Sequence, residues 1–303
     1  MFEINNGDNM KNLKLYCINN CSGVDVKGLK NSVYDIRDYY KEKNKSVEIL
    51  EENEDIKSSI DNLKNYGKVV DISNKIFKHA NKIINQGFVP LAFGSDHSMA
   101  IGSVSASANC YDNIGLVWVD AHSDINTEET SPSGNIHGMP VSFLLGEGKD
   151  IFSNIGNFKP KIRPENIVYI GLRSVDPGEV DILKKLGIKT YYYTEVEKRG
   201  LAEVVNKAIN DLSDCKDIHL SFDFDSMNPK VFPAVSIPVE NGFNQEDVLY
   251  IFEKFILTDK IISIDIVEYN RDFDRNGVSL AFAKELLEKI EEFAKFKGSK
   301  FSN

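Results

Sequence analysis

Residues 114–124 read Ile-Gly-Leu-Val-Trp-Val-Asp-Ala-His-Ser-Asp, an apolar run that ends in acidic and imidazole side chains. A run that is almost continuously apolar is typical of a strand covered on both faces in a parallel sheet. In open α/β sheets, ligands bind beyond the carboxyl ends of such strands. This stretch therefore predicts a buried parallel strand with a functional site at its end.

Similar apolar runs recur along the chain, with amphipathic stretches between them. The candidate strands are Phe88–Phe93, Ile114–Asp120, Ile167–Leu172, Lys189–Thr194, Ile218–Phe224 and Ile261–Val267. Helical spacing of apolar residues marks candidate helices that begin near Val69, Leu201, Val248 and Ser279. Alternating strands and helices predict an α/β fold, a three-layer αβα sandwich with a mainly parallel central sheet. Since no linker divides the chain, we expect residues 1–303 to form a single domain, with 36–67 as surface helix and loop.

Composition narrows the classes of partner. A net charge of −10 argues against nucleic acid and suits a small cationic substrate. No apolar run approaches the ~20 residues of a membrane span, and residues 1–14 lack the layout of a signal peptide. Cys17 and Cys21 could form half of a metal site, but reduced thiols are the simpler interpretation. We expect a cytoplasmic protein that binds neither membrane nor nucleic acid.

Acidic and imidazole side chains follow four of the predicted strands. They are His97, then Asp120, His122 and Asp124, then Asp223 and Asp225, and finally Glu268. Unpaired charges would be costly to bury at one edge of a sheet, and bound cations remove that cost. Without Glu268, the set has four carboxylates, two imidazoles and no thiolate, which exceeds one tetrahedral zinc. Such a set suits Mn²⁺, with carboxylates that bridge two ions.

Each of these motifs also has a purely structural explanation. The Asp-x-His-x-Asp motif at 120–124 could be a surface turn, and Asp223 with Asp225 could cap the next turn. His97 could pack at the start of a helix. Their joint placement at strand ends favours the metal interpretation. We further expect the alternation at 120–124 to point its three side chains to one side of an extended strand end.

Three segments resemble the signatures of the arginase family of ureohydrolases. They are residues 94–98, residues 120–126 together with 133–138, and residues 221–225. Similarity continues at 170–179 and 265–270, covers about residues 68–295, and is weak over the first 67 residues. The resemblance implies an arginase-like fold and a binuclear manganese hydrolase. Such an enzyme converts L-arginine and water to L-ornithine and urea through a metal-bridging hydroxide.

The resemblance also implies a role for each matching residue. One Mn²⁺ would be held by His97, Asp120, Asp124 and Asp223, and the other by His122, Asp120, Asp223 and Asp225. Asp124 would accept a hydrogen bond from the hydroxide, His137 would pass a proton to the leaving amine, and Glu268 would anchor the guanidinium. For the last two, a structural histidine and a surface acid are the simpler alternatives.

The amino acid end of the substrate would meet a polar loop. The resemblance places Asn126, Ser133 and Asn135 near the α-carboxylate and Asp176 near the α-amino group. A site built to bind such groups rejects analogues that lack them, because its own polar atoms are then left unpaired. These residues favour an amino acid over a decarboxylated amine.

One position near the predicted guanidinium site departs from the family pattern. Ile237 stands where the family has a threonine close to the guanidinium. This departure leaves open a related ureohydrolase that acts on another guanidino or formimino compound. A third alternative is a metal-stabilised sensor with low turnover. The resemblance also implies a homo-oligomer, either a trimer or a hexamer.

Overall fold

The computed structural model of the chain describes residues 12–56, 59–60 and 62–296. Its strands are β1 (Leu13–Asn19), β2 (Glu48–Glu51), β3 (Val89–Phe93), β4 (Gly115–Val119), β5 (Ile167–Leu172), β6 (Lys189–Tyr192), β7 (Ile218–Asp223) and β8 (Ile261–Val267). They form one sheet in the order β2-β1-β3-β8-β7-β4-β5-β6. All neighbouring strands in this sheet are parallel. The predicted parallel sheet is therefore confirmed.

Helices cover both faces of the sheet. They are α1 (Ser32–Glu42), α2 (Tyr66–Asn85), α3 (Ala100–Cys110), α4 (Pro140–Leu144), α5 (Asp150–Ser153), α6 (Pro177–Leu186), α7 (Tyr193–Arg199), α8 (Leu201–Asp211), α9 (Gln245–Ile256) and α10 (Val278–Phe296). In β4, Val117 and Val119 pack in the core that contains α1, α8, α9 and α10. Leu116 and Trp118 point to the other face, where α3 packs. This alternation confirms the three-layer αβα sandwich.

The predicted strands and helix starts agree closely with the structure. Strands β5 and β8 have the predicted bounds, and the bounds of the other four predicted strands differ by at most two residues. Helix α9 begins after Asn244, whose side chain accepts a hydrogen bond from the Asp247 amide. This is the N-cap that an asparagine at that position predicts.

The amino-terminal part of the sheet was not predicted. Within the stretch 36–67, interpreted as surface helix and loop, β2 pairs with β1 and forms the edge of the sheet. A four-residue edge strand with glutamates at both ends has no apolar run that would reveal it. The polar segment at residues 1–14 lies mostly outside the described residues. No helix among the described residues is long and apolar enough to cross a membrane.

Strand order decides where the site forms. Strands β3, β8, β7 and β4 are consecutive in the sheet although they are far apart in the chain. Because all four are parallel, the segments that follow them leave the sheet at the same edge. These are the segments that carry the predicted metal ligands and Glu268.

Candidate active site

A cluster of three carboxylates surrounds one buried imidazole nitrogen. The Nδ1 atom of His97 lies 3.0 Å from Asp120 Oδ2, 3.1 Å from Asp124 Oδ2 and 3.2 Å from Asp223 Oδ2. Among the described residues, this nitrogen has no partner with the geometry of a hydrogen bond. A buried polar atom without a partner is costly, and a cation bound between nitrogen and carboxylates would satisfy all four groups. The residues therefore fit a metal ion.

A second cluster shares Asp120 with the first. The His122 Nδ1 atom lies 3.0 Å from Asp225 Oδ2 and 3.6 Å from Asp120 Oδ1. Asp120 thus presents one carboxylate oxygen to each cluster, which is the arrangement of a bridging ligand. The ligand atoms of Asp120, His122 and Asp225 lie within 4.8 Å of one another, as do those of the first cluster's His97, Asp120 and Asp223. Carboxylate and imidazole donors without a thiolate suit Mn²⁺.

Two neighbours orient the first cluster, and sequence reasoning assigned a role to neither. The Nε2 atom of His97 lies 2.8 Å from the Ser221 hydroxyl. The indole of Trp118 stacks on the imidazole with ring centroids 3.9 Å apart, and its Nε1–H donates to Asp120 Oδ2 at 2.9 Å. Bonds of this kind fix the tautomer and direction of a metal-binding histidine. The signal in the sequence was their position on strands β4 and β7, beside the predicted ligands.

The carboxylates of this site are buried close together, so their negative charges repel one another. Burial, together with the charge of Asp120, raises the pKa of Asp124 to about 7. Burial and the charges of Asp225 and Asp120 likewise raise the pKa of Asp223 well above its usual range. Carboxylates this close resist simultaneous ionisation unless positive charge is present. A bound cation would supply that charge.

The backbone conformation corrects one sequence-based expectation. Strand β4 ends at Val119, so residues 120–124 form a loop and are not the extended strand end that their alternation suggested. Asp124 adopts φ 49° and turns its carboxylate back toward His97. Glu268 adopts φ 66°, and its amide donates to the Ser95 carbonyl at 3.0 Å. Left-handed conformations in residues other than glycine are strained and concentrate at functional sites.

His137 and Glu268 are in direct contact. The His137 Nδ1 atom lies 3.1 Å from Glu268 Oε1, and the same oxygen accepts a hydrogen bond from the His97 amide at 3.2 Å. Burial opposes protonation of the imidazole, but the hydrogen bond and charge of Glu268 outweigh it and raise the pKa of His137 to about 9. Burial also raises the pKa of Glu268, and the contact with His137 opposes that increase. The pair can therefore hold a proton beside the metal clusters at neutral pH.

This pair predicts a pH-dependent contribution to stability. Because the pKa of His137 is raised to about 9, its stabilising effect should be fully present below the unfolded value of about 6.5 and lost as pH rises through about 9. With a chelator present, the unfolding free energy of the wild type should exceed that of His137→Gln at about pH 6, and the difference should shrink by about pH 10. Denaturant unfolding at several pH values measures this. In the Glu268→Gln background the pH dependence of this difference should be smaller, because only the charges of Asp124 and Asp96 still raise the pKa of His137. An equally large pH dependence there would contradict the assignment.

A cavity of about 150 Å³ opens above the clusters. Its lining includes His122, Asp124, Asn126, Ser133, His137, Asp176, Asp223, Asp225 and Ile237. Asn135 is not among the lining residues, and its side chain accepts a hydrogen bond from Lys64 at 3.2 Å. His97, Asp120 and Glu268 are buried beneath the lining layer. Most of the predicted site residues therefore lie in or directly below one cavity.

The polar side of the cavity is braced by an acid that the sequence interpretation missed. Asn126 Nδ2 donates to Asp176 Oδ2 at 3.0 Å. The buried Glu179 carboxylate accepts hydrogen bonds from the Ile125 amide and the Asp176 amide at 3.1 and 2.9 Å. Glu179 thus joins the loop after β4 to the start of α6. Its place at the third position after Asp176, typical of a capping box, was the available signal.

Comparison with known proteins agrees with this geometry. A sequence model described as the arginase family matches residues 20–290. The chain belongs to the arginase family. The arginase of Bacillus subtilis (strain 168) is 40% identical over 228 residues, which cover 75% of this chain and 77% of that protein. The match begins at residue 20, so the resemblance starts earlier than residue 68, where the sequence motifs placed it.

Solved arginase structures share the fold over nearly the whole chain. The crystal structure of the Bacillus subtilis arginase superposes with a TM-score of 0.84 at 35% identity and covers 93% of this chain and 98% of that one. An Entamoeba histolytica arginase in complex with L-ornithine has a TM-score of 0.83 at 26% identity, with coverages of 93% and 98%. Family and relatives together identify the chain as a hydrolase that acts on an amidine C–N bond.

Proposed function

We propose that this chain is an arginase that hydrolyses L-arginine to L-ornithine and urea with two Mn²⁺ ions. The observation that supports this most is the pair of imidazole–carboxylate clusters that share Asp120 below a cavity. In our proposal the first ion is held by His97, Asp120, Asp124 and Asp223, and the second by His122, Asp120, Asp223 and Asp225. When bound, such ions lower the pKa of water and make a nucleophile available at neutral pH.

The chain's own residues would orient the substrate and move its protons. A guanidinium is planar and cationic, so a carboxylate such as Glu268 can bind it with charge-assisted hydrogen bonds. Asp124 accepts a hydrogen bond from the attacking water. His137 lines the cavity and, with its pKa raised to about 9, holds a proton that the leaving amine can take. In this proposal Asp124 accepts the hydrogen bond of the water, His137 is the acid, and Glu268 binds the guanidinium.

The polar wall of the cavity supports an amino acid as substrate. Asn126, Ser133 and Asp176 line it, and they would bind the α-carboxylate and α-amino groups. Asn135 lies in the same loop as Ser133, and we propose it as a further contact to the α-carboxylate. The L-ornithine complex of the Entamoeba histolytica arginase supports the same chemistry, because L-ornithine carries both α groups.

The decisive test is urea release by purified protein preloaded with Mn²⁺. L-Arginine should be hydrolysed far faster than agmatine, which lacks the α-carboxylate. Preference for agmatine or another guanidino compound would instead identify a related ureohydrolase. Two bound metals with no release from any compound would favour a metal-stabilised sensor. Activity that persists after complete metal removal would contradict the binuclear mechanism.

Ile237 gives a second, smaller prediction. It lines the cavity and is 41% exposed, an unusual position for a large apolar side chain. Ile237→Thr should raise kcat/KM for L-arginine about 2- to 10-fold, since one net hydrogen bond contributes about 0.5–1.5 kcal/mol. Steady-state kinetics with L-arginine measures this, with Ile151→Thr as a control at an apolar residue of similar exposure that is not part of this cavity lining. An unchanged or lower kcat/KM would show that Ile237 is matched to a different substrate.

We further propose that the chain is one domain over residues 1–303 and acts in the cytoplasm as a homo-oligomer. A single sheet joins elements from residue 13 to residue 267, which supports one folding unit. The thiols of Cys17, Cys21, Cys110 and Cys215 are free, which agrees with a reducing compartment. The trimer or hexamer follows from the family alone, and light scattering distinguishes the two.

A further inference from the structure

The loop at residues 20–24 touches both the segment that carries His97 and the segment that carries His137. We propose that the main chain of Gly23 positions His137 for proton transfer, because it links the main chain of His137 to the buried carboxylate of Asp96. Gly23 is therefore a positioning residue for the hydrolysis. The inference rests on the proposed function, because part of its test is turnover.

Asp96 is the fixed end of this connection. Its side chain is fully buried, and Oδ2 accepts hydrogen bonds from the Gly23 amide at 2.9 Å and from Asn20 Nδ2 at 3.1 Å. Its Oδ1 atom accepts from the Ser98 amide at 3.0 Å. Several donors on one buried carboxylate hold it firmly. Since Asp96 directly precedes His97 in the chain, its position is tied to the first metal cluster.

The carbonyl group of Gly23 contacts His137. The carbonyl of Gly23 accepts a hydrogen bond from the His137 amide at 3.2 Å. One residue thus donates to Asp96 and accepts from His137. Gly23 therefore joins the segment of His97 to the main chain of His137 through two main-chain hydrogen bonds.

Any side chain at this position would break the connection. A Cβ atom on Gly23 would overlap Asp96 Oδ1 and lie 2.7 Å from the Ser98 hydroxyl oxygen. Real Cβ contacts are longer, so an alanine must push the loop away from Asp96. The Gly23 carbonyl, and with it His137, would then move.

The loop at residues 20–24 also has hydrogen bonds on the side that faces away from Asp96. Ser22 donates its hydroxyl proton to Glu52 Oε2 at 2.5 Å, and its carbonyl accepts from Asn65 Nδ2 at 3.3 Å. Glu52 in turn pairs with Lys30 at 2.8 Å. Because the far side is fixed, we expect a displacement caused at Gly23 to be passed to His137.

The test is a double-mutant cycle on kcat. Gly23→Ala should lower kcat on the order of 10- to 100-fold, the size expected when a reacting group is misplaced by about 1 Å. In a His137→Ala background, Gly23→Ala should change the residual kcat less than about 2-fold, because residues that act through one another are not additive. Bound Mn²⁺ should be unchanged in all four proteins.

Gly28→Ala is the matched control. A Cβ atom there would overlap Asn270 Oδ1 and lie 2.7 Å from Asp272 Oδ2, so the strain is similar, but these contacts do not involve His137. Its effect on kcat should be the same factor in both backgrounds. If Gly23→Ala behaves in the same way as this control, the proposal is wrong.

Two further measurements keep the outcome clear. Crystal structures should show the His137–Glu268 contact, 3.1 Å in the wild type, lengthened in Gly23→Ala and kept in Gly28→Ala; an unmoved His137 overturns the proposal whatever the turnover. If Gly23→Ala does not fold, Asn20→Ala removes one donor to Asp96 without a clash. Asn20→Ala should lower kcat less than Gly23→Ala does, and it should have no effect on kcat in the His137→Ala background. The same loss of kcat in both backgrounds would contradict the proposal. A wild type that hydrolyses no guanidino compound refutes the proposed function, while the crystallographic comparison still decides this geometry.

Discussion

Asp124→Asn should lower urea release from L-arginine by more than about 100-fold. Even the mutation of a residue that only hydrogen-bonds to a metal ligand lowers metal affinity or activity by about 10- to 100-fold. The Asp124 carboxylate lies 3.1 Å from His97 Nδ1 and lines the cavity. In the proposed site it both binds metal and accepts the hydrogen bond of the attacking water. An amide of the same size keeps the shape but removes the negative charge.

Turnover and metal content together identify the cause. Atomic absorption should find less than two Mn²⁺ per chain in Asp124→Asn, while circular dichroism should show the fold intact. Asp181→Asn, an exposed acid on α6, should leave both quantities unchanged. Wild-type turnover in Asp124→Asn would refute the proposed ligand set.

Glu268→Gln should lower kcat/KM for L-arginine on the order of 10- to 100-fold. A hydrogen bond to a charged group contributes about 1.5–3 kcal/mol, and a neutral amide retains only part of it. The change also removes the charge that raises the pKa of His137 to about 9. The proton on the imidazole should then be lost at lower pH, so the alkaline limb of the kcat profile should move to lower pH.

Steady-state kinetics between about pH 6 and pH 10 measures both effects. Glu240→Gln, at an exposed glutamate, is the control and should reproduce the wild-type profile. A fall in kcat/KM without any movement of the alkaline limb would mean that His137 does not donate the proton. An unchanged kcat/KM would remove Glu268 from the substrate site.

The proposed ligand residues could be picked out from the sequence because each follows a strand with a strong apolar signal. Asp120 and Asp223 come at the ends of β4 and β7, whose residues are fully or almost fully buried. The edge strand β2 was missed because charged, half-exposed residues carry no such signal. The orienting roles of Ser221 and Trp118 were missed for a different reason: their contacts with His97 depend on the order of the strands in the sheet.

The loop conformations were also beyond sequence reasoning. Alternation at 120–124 suggested an extended strand end, whereas the left-handed Asp124 folds its carboxylate back to His97. Local pattern cannot reveal such a conformation, because contacts with the rest of the site stabilise it. The connection from Asp96 through Gly23 to His137 is likewise not local, because Gly23 and Asp96 are 73 positions apart in the sequence.

By itself, the sequence determined the α/β class, most strands, the metal-binding residue types and the arginase family resemblance, since hydrophobic periodicity and short motifs are local properties of a chain. Only the tertiary structure decided that β8 and β7 lie between β3 and β4. That order brings the carboxylates of Asp120 and Asp223 to 3.0 and 3.2 Å from His97 Nδ1. It follows from packing both faces of the sheet against helices, which depends on the whole chain at once.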